Sequence, residues 1–274
     1  MALSINLVKN HREREKGVLV YPVYSRRSAG LSVGINLFPD KKQCPFNCPY
    51  CEVFPFSSEA VFSLDQMETD LRSVIEEANV KNIPIKDICF SGNGEPSISP
   101  FFPGALKEAA KIRNELSPSA KIVLITNGAG LLSSETFNLF AEAVSSIDLD
   151  IWLKLDAGTP EWYEKINCSD ISFYELTTKI KDFTAYSRVT IQTMLCAIDG
   201  SAPSDEEAKA WEKLALELTA SGNIRKVQIY GKARPAPEDP KAEALSVPFL
   251  EERAESLKRA LAARGLAVEV EVYA

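Results

Sequence analysis

Cys44, Cys48 and Cys51 fall within eight residues, in the run Cys44-Pro45-Phe46-Asn47-Cys48-Pro49-Tyr50-Cys51. Spacings of three and two residues let one short loop curl so that three thiolates meet a single iron–sulfur cube, and Pro45 and Pro49 stiffen the curl. Three thiolates on a four-iron cube leave one iron without a protein ligand, open to a bound molecule. Zinc is the alternative, but a closed structural zinc site uses four ligands, usually Cys or His. The one histidine, His11, is remote from the loop in sequence. The other three cysteines, Cys89, Cys168 and Cys196, lie far apart. This pattern predicts metal ligation in a reducing compartment and no disulfides.

The elements that must position this loop are short apolar, β-branched runs separated by helical patterns. Strands are predicted at 31–38, 87–91, 121–126, 150–156, 188–195 and 226–230, with a last one at 267–273 that could pair at a sheet edge. Helices are predicted at 64–80, 102–117, 133–146, 172–186, 204–221 and 248–264. Several open on Ser133, Ser172 or Ser204 followed by acidic residues, as helix N-termini favour. Six strand-helix units in alternation imply parallel strands with right-handed crossovers, hence an α/β fold, a partial (β/α)6 barrel with its site at the C-terminal strand ends. The cysteine loop follows the first of these strands. One domain spanning 1–274, with a core of about 20–240, is expected. The loop 232–246, with Pro235, Pro237 and Pro240, is expected to cover the barrel mouth.

Composition excludes some functions. The chain has 274 residues, 45% of them hydrophobic, which is enough for a sizeable core. Its formal charge of −7 gives no general attraction to a phosphate backbone, so RNA must be argued locally. Lys9, Arg12, Arg14 and Lys16 are interspersed with Glu13 and Glu15, which suits a solvated helix face better than a nucleic-acid patch. The N-terminus does not read as a signal peptide, and no stretch approaches the roughly 18 apolar residues of a membrane span. A cytoplasmic protein with no membrane partner is expected.

Further motifs stand at the predicted strand ends: Ser91-Gly92-Asn93-Gly94-Glu95-Pro96, Thr126-Asn127-Gly128, Lys154-Leu155-Asp156-Ala157-Gly158, Val227-Gln228-Ile229-Tyr230 and Ala233-Arg234-Pro235. Together with the cysteine loop they resemble the radical S-adenosylmethionine (SAM) superfamily. The segment 91–96 looks like its Gly-Gly-Glu-Pro motif with Asn93 inserted. The set, with Ser25-Arg26-Arg27 and Gly34-Ile35-Asn36, resembles the branch of tRNA wyosine-base synthase-like iron–sulfur oxidoreductases over roughly residues 20–240. Those relatives continue the segment after Ile166-Asn167 with Arg-Pro, whereas this chain has Cys168-Ser169. The flavodoxin-like domain of the eukaryotic wyosine synthases is absent from the sequence.

The resemblance implies a [4Fe-4S] cluster on Cys44, Cys48 and Cys51, with SAM chelated at the open iron. Reductive cleavage of SAM then gives methionine and a 5′-deoxyadenosyl radical that takes hydrogen from a substrate. It also implies a low-potential electron donor of flavodoxin or ferredoxin type. Tyr50 holds the place of an aromatic lying along the adenine, or is a packing residue. Gly92, Gly94 and Glu95 are expected to line the methionine end through backbone groups, or to form only a turn. Asn127, Asp156 and Gln192 are candidates to face the ribose or substrate. Trp152, Lys154 and Asp156 share one strand face by alternation, and Lys154 either meets a carboxylate or carbonyl or pairs with Asp156. Cys168 and Cys196 are candidate hydrogen-atom donors or small buried residues. Arg26, Arg27 and Arg234 are candidates for an anionic group or for surface ion pairs. The substrate is a small molecule, a peptide or RNA, the last giving an RNA base-modifying enzyme. A non-catalytic iron–sulfur electron-transfer protein is the reading from another class.

Overall fold

A computed structural model of the chain describes residues 17–274. His11 and the basic residues Lys9, Arg12, Arg14 and Lys16 lie outside the described residues. The chain divides into two compact units. One comprises the described residues through Cys44, Val53–Thr126 and Glu142–Asp150; the other comprises Pro45–Glu52, Asn127–Ala141 and Ile151–Ala274.

In the first unit, β1 (Val20–Ser25) pairs antiparallel with β2 (Gly30–Ile35), and β3 (Ile85–Phe90) and β4 (Lys121–Thr126) follow in parallel. Every residue of β2 is buried, as expected of a strand covered on both faces. The helix α1 (Leu64–Val80) starts where Ser63 accepts a hydrogen bond from the Gln66 N–H. Met67, Leu71, Val74, Ile75 and Ala78, at helical spacing, are its buried face. Beside it runs α2 (Phe102–Leu116), tied by an Arg72–Glu115 ion pair at 2.8 Å and by Asn79 Nδ2 donating to the Leu116 carbonyl.

The sequence reading begins the sheet at β2 and omits β1. Its Pro22 faces Val33, a position an edge strand tolerates because proline has no N–H to give. The hairpin carrying Arg26 and Arg27 joins β1 to β2 at the N-terminal end of β2. The cysteine run follows β2 in the chain, after its C-terminal end.

The second unit holds the rest of β5 (Leu149–Lys154), then β6 (Arg188–Ile198), β7 (Asn223–Gly231) and β9 (Glu269–Tyr273), all parallel. The terminal strand thus pairs at an edge, beside β7. A short β8 (Ala242–Ala244) turns back along the far end of β6. Register places Lys154 opposite Gln192 and Gln192 opposite Gln228, with Met194 opposite Tyr230. Around these strands lie α4 (Pro160–Ile166), α5 (Phe173–Thr184), α6 (Asp205–Ser221) and α7 (Val247–Ala263). The predicted helix at 133–146 is α3 (Ser134–Ser146), whose Phe137 and Phe140 rings pack edge-on against Phe183 of α5. The helix α4 is absent from the sequence reading: seven residues carry too little periodicity, and it is fixed by Thr159 accepting from the Trp162 N–H with Pro160 at its first turn. Among the described residues no helix is long and apolar enough to cross a membrane.

Candidate functional site

In the first unit, the chain leaving β2 and the chain leaving β3 meet at Gln43 and Gly94. The Gln43 N–H donates to the Asn93 carbonyl at 3.0 Å, and the Gln43 carbonyl accepts from the Glu95 N–H at 2.8 Å. Gln43 immediately precedes Cys44. A Cβ on Gly94 would lie 1.9 Å from the Gln43 carbonyl oxygen, so only glycine permits this approach. Asn36, 1% exposed, orders the same turn: its Oδ1 accepts from the Phe38 and Asn93 N–H groups. Gly92 has φ +140°, and a Cβ there would meet Asn36 Oδ1 at 2.8 Å.

Glu95 is 3% exposed, and its Oε1 accepts from Ser97 N–H, Ser97 Oγ and Thr126 Oγ1 at 3.1, 2.7 and 2.7 Å. The carboxylate therefore caps the 3-10 turn Pro96–Ile98 and joins the ends of β3 and β4.

In the second unit, Asp156 is the organising residue. Its Oδ1 accepts from the Met194 N–H at 2.8 Å, while Oδ2 accepts from the Tyr50 hydroxyl and from Asn167 Nδ2 at 3.1 Å. Lys154 Nζ is 3.6 Å from Oδ2 and donates to the Tyr230 hydroxyl at 2.6 Å. The same ammonium lies 4.7 Å from the Tyr50 ring centroid and 5.3 Å from that of Tyr230. Burial on its own would lower the Lys154 pKa, but the Asp156 charge, together with Tyr230 and Cys48, outweighs it and raises the group above its ordinary value, so Lys154 is a cation. Burial, reinforced by the Asp156 charge, holds the Tyr50 phenol well above its ordinary value, and Tyr50 stays a neutral donor.

The run Pro45–Glu52 is fastened to the end of α4. Asn47 N–H is shared between the carbonyls of Asn167 and Cys168, at 3.0 and 3.2 Å, and Ser169 Oγ donates to the Pro45 carbonyl at 3.2 Å. Cys51 N–H closes a turn on the Cys48 carbonyl at 3.0 Å. The Cys48 sulfur accepts from Asn167 Nδ2 at 3.6 Å and its thiol donates to the Asn167 carbonyl at 3.8 Å. Burial pushes the Cys48 thiol up to about 11, against the pull of Lys154. Glu52, next to Cys51, pairs with Arg234 at 2.8 Å, so the proline-rich loop after β7 is latched to this run.

Other expected residues take less open positions. Gln192 is fully buried and donates to Gln228 Oε1 at 2.7 Å. Asn127 is 4% exposed, and its Oδ1 accepts from the Ala129 N–H. Cys196 is fully buried, and burial, with Asp156 nearby, pushes its thiol up to about 12. Cys168 is half-buried at φ 44° and donates to the Lys165 carbonyl. Cys89 is buried in β3. A hollow lined by Phe46, Lys154, Asp156, Tyr163 and Asn167 lies in this unit. Asn167, Tyr230 and Gln43 are site residues the sequence reading does not assign.

Cys44, Cys48 and Cys51 take part in no disulfide, and each is partly exposed. Their chemistry fits three of the ligands of an iron–sulfur cube. Among the described residues, no three Cys, His, Asp or Glu side chains already stand grouped to hold a single metal ion.

No protein-family model matches the chain. A UPF0026 protein of Helicobacter pylori strain J99 is 28% identical over 162 residues, 57% of this chain and 51% of that protein. The chain thus spans about half the length of the curated relatives it matches. Among solved structures, Streptococcus suis SuiB bound to S-adenosylmethionine matches with TM-score 0.62 and 12% identity, over 85% of this chain and 48% of that one. A radical SAM methyltransferase from Sphaerobacter thermophilus matches with TM-score 0.62 and 17% identity, over 92% and 68%. Archaeal TYW1 matches with TM-score 0.51 and 13% identity, over 83% and 71%. With parallel strands, alternating helices and a cysteine run leaving the C-terminal end of β2, the chain has the α/β partial-barrel fold of the radical S-adenosylmethionine enzymes.

Proposed function

We propose that the protein is a radical SAM enzyme in which Cys44, Cys48 and Cys51 hold a [4Fe-4S] cluster. The observation that carries this reading is the double hydrogen bond joining Gln43 to the two sides of Gly94. It fastens the entry of the cysteine run to a glycine-bearing turn. When bound, the cluster supplies the electron that splits SAM into methionine and a 5′-deoxyadenosyl radical, which takes hydrogen from a substrate C–H bond.

The chain's own groups then have definite tasks. The Gly92–Gly94 backbone receives the methionine end of SAM. Tyr50 offers an aromatic surface to the adenine, on whatever part of its ring Lys154 leaves uncovered. Lys154, a fixed cation, meets an anionic or carbonyl group, while Asp156 holds Tyr50 and Asn167 in place. Asn127 and Gln192 stand toward the ribose or substrate through their neighbours. Cys196, on the same face of β6 as Gln192 and Met194, and Cys168 are the candidate hydrogen donors to a product radical.

The substrate is a small molecule, a peptide or RNA, and the reductant is a flavodoxin- or ferredoxin-type donor. Likeness to SuiB, also solved bound to its precursor peptide SuiA, supports a peptide. Anaerobic loading with iron and sulfide, followed by dithionite and SAM, is expected to release 5′-deoxyadenosine. That release should disappear in C44A, C48A and C51A. Cluster uptake with no 5′-deoxyadenosine would instead identify an electron-transfer protein, and a purified zinc protein would refute the cluster.

A further inference from the structure

Asn167 is 3% exposed, and both hydrogens of its side-chain amide have acceptors. One goes to Asp156 Oδ2 at 3.1 Å and the other to Cys48 Sγ at 3.6 Å. An amide carries two donors on one nitrogen, and here both are directed at groups that are anionic when Cys48 is a thiolate. The orientation is over-determined. Asp156 is fixed by the Tyr50 hydroxyl and the Met194 N–H, so it turns the Asn167 nitrogen inward.

The backbone of Asn167 serves the same loop. Its carbonyl accepts from the Asn47 N–H at 3.0 Å, as well as from the Cys48 thiol. Loss of the thiol proton on metal ligation would cost that second bond only: the carbonyl keeps Asn47, and the sulfur keeps the amide.

We propose that Asn167 is a positioning and tuning residue, donating an N–H···S hydrogen bond to the Cys48 thiolate and raising the reduction potential of the cluster it ligates. This rests on the proposed cluster at Cys44, Cys48 and Cys51. A hydrogen bond to a ligating sulfur withdraws electron density from it and stabilises the reduced, more negative cluster, so hydrogen bonds to sulfur are among the controls of potential. The effect is the outer-shell kind by which a protein adjusts a metal without touching it. Nothing in the Cys-Pro-Phe-Asn-Cys spacing calls for it, since Asn167 lies 119 positions from Cys48 in sequence.

The test uses the full chain loaded anaerobically with iron and sulfide, comparing the wild type with N167A and N167D. Iron and sulfide per chain are measured first, then the midpoint potential by titration followed with electron paramagnetic resonance. Both variants should shift the potential to more negative values, N167D further, because it replaces the donor with a second carboxylate. A role confined to packing would reduce cluster content without this ordered shift. Wild-type protein labelled with 15N only at asparagine side-chain amides supplies an independent reading, with a nitrogen coupling expected in the reduced cluster. Absence of that coupling in loaded wild type overturns the inference whatever the variants do, as do unmoved potentials in variants that load fully. Failure of the wild type to take up iron and sulfide overturns the cluster reading itself, and this inference with it.

Discussion

Gln43 and Gly94 lie so close that the Gln43 carbonyl oxygen occupies the space a side chain at residue 94 would need. A methyl group there must push the backbone before Cys44 away or break the Glu95 N–H bond. G94A is therefore expected to cost about 1–3 kcal/mol, the range for overpacking, and to lower iron uptake on reconstitution. G104A is the control. From its place in α2, its Cβ would meet Leu64 Cδ2 of α1 at 3.6 Å, an ordinary contact, so it should be neutral or stabilise by up to about 1 kcal/mol. Thermal unfolding and iron content of the two variants check the contrast.

Tyr50 has two separable properties, a hydroxyl bound to buried Asp156 and a ring beneath the Lys154 ammonium. Y50F removes only the first, leaving Asp156 with Asn167, Met194 and Lys154, and is expected to cost about 1–3 kcal/mol of stability. If the ring serves the adenine, Y50F should keep SAM affinity within a few-fold while Y50L loses about tenfold, the worth of an aromatic contact near 1.4 kcal/mol. Calorimetric titration of the cluster-loaded protein with SAM separates these. Equal losses in both variants would mean that the hydroxyl, through Asp156, matters more than the ring.

The strand-helix alternation was legible because β4 and α1 carry clear apolar or amphipathic patterns and begin and end where those patterns do, whereas β2 stops at Ile35, three residues short of the end of the apolar run at 31–38. The cysteine run was legible because its chemistry is local. Asn167 was not: an asparagine gains its meaning from Asp156 and Cys48, which only the fold brings to it. For the same reason sequence alone did not show that the Glu95 carboxylate turns into the ends of β3 and β4, nor that the Tyr50 hydroxyl is committed to Asp156. Pattern identifies elements and ligands, while residues that act through others become visible only with their partners.

Asp87, 3% exposed in β3, gives a pH dependence of definite sign. Burial raises its carboxyl pKa, against the Ser28 and Ser32 hydroxyls and the Arg27 charge. A raised folded-state value means the neutral form is favoured in the fold. The contribution is fully present below the unfolded value, about 3.9, and is lost as pH rises through the folded value. D87N cannot ionise, so the stability of the wild type relative to D87N should fall across that window, by about 1.4 kcal/mol for each pKa unit of separation. Urea unfolding of both proteins from pH 4 upward measures the difference; a flat difference would place the folded pKa at its ordinary value.

Arg234 and Glu52 join the loop after β7 to the residue following Cys51, with side chains 33% and 27% exposed. A pair so open to water contributes about 0.2–1 kcal/mol, so a double-mutant cycle with R234A and E52A should give a coupling no larger than that. The small stability effect makes the pair a clean probe of position. If the latch only closes the loop, E52A and R234A should alter 5′-deoxyadenosine formation equally, and the double variant should do no further harm. If Arg234 instead binds an anionic group of SAM or substrate, R234A should raise the apparent KM while E52A, which frees the guanidinium, leaves it unchanged or lowers it. The sign of the E52A effect therefore decides between a latch and an anion site, and it can be read from SAM cleavage before any substrate is identified when the group belongs to SAM.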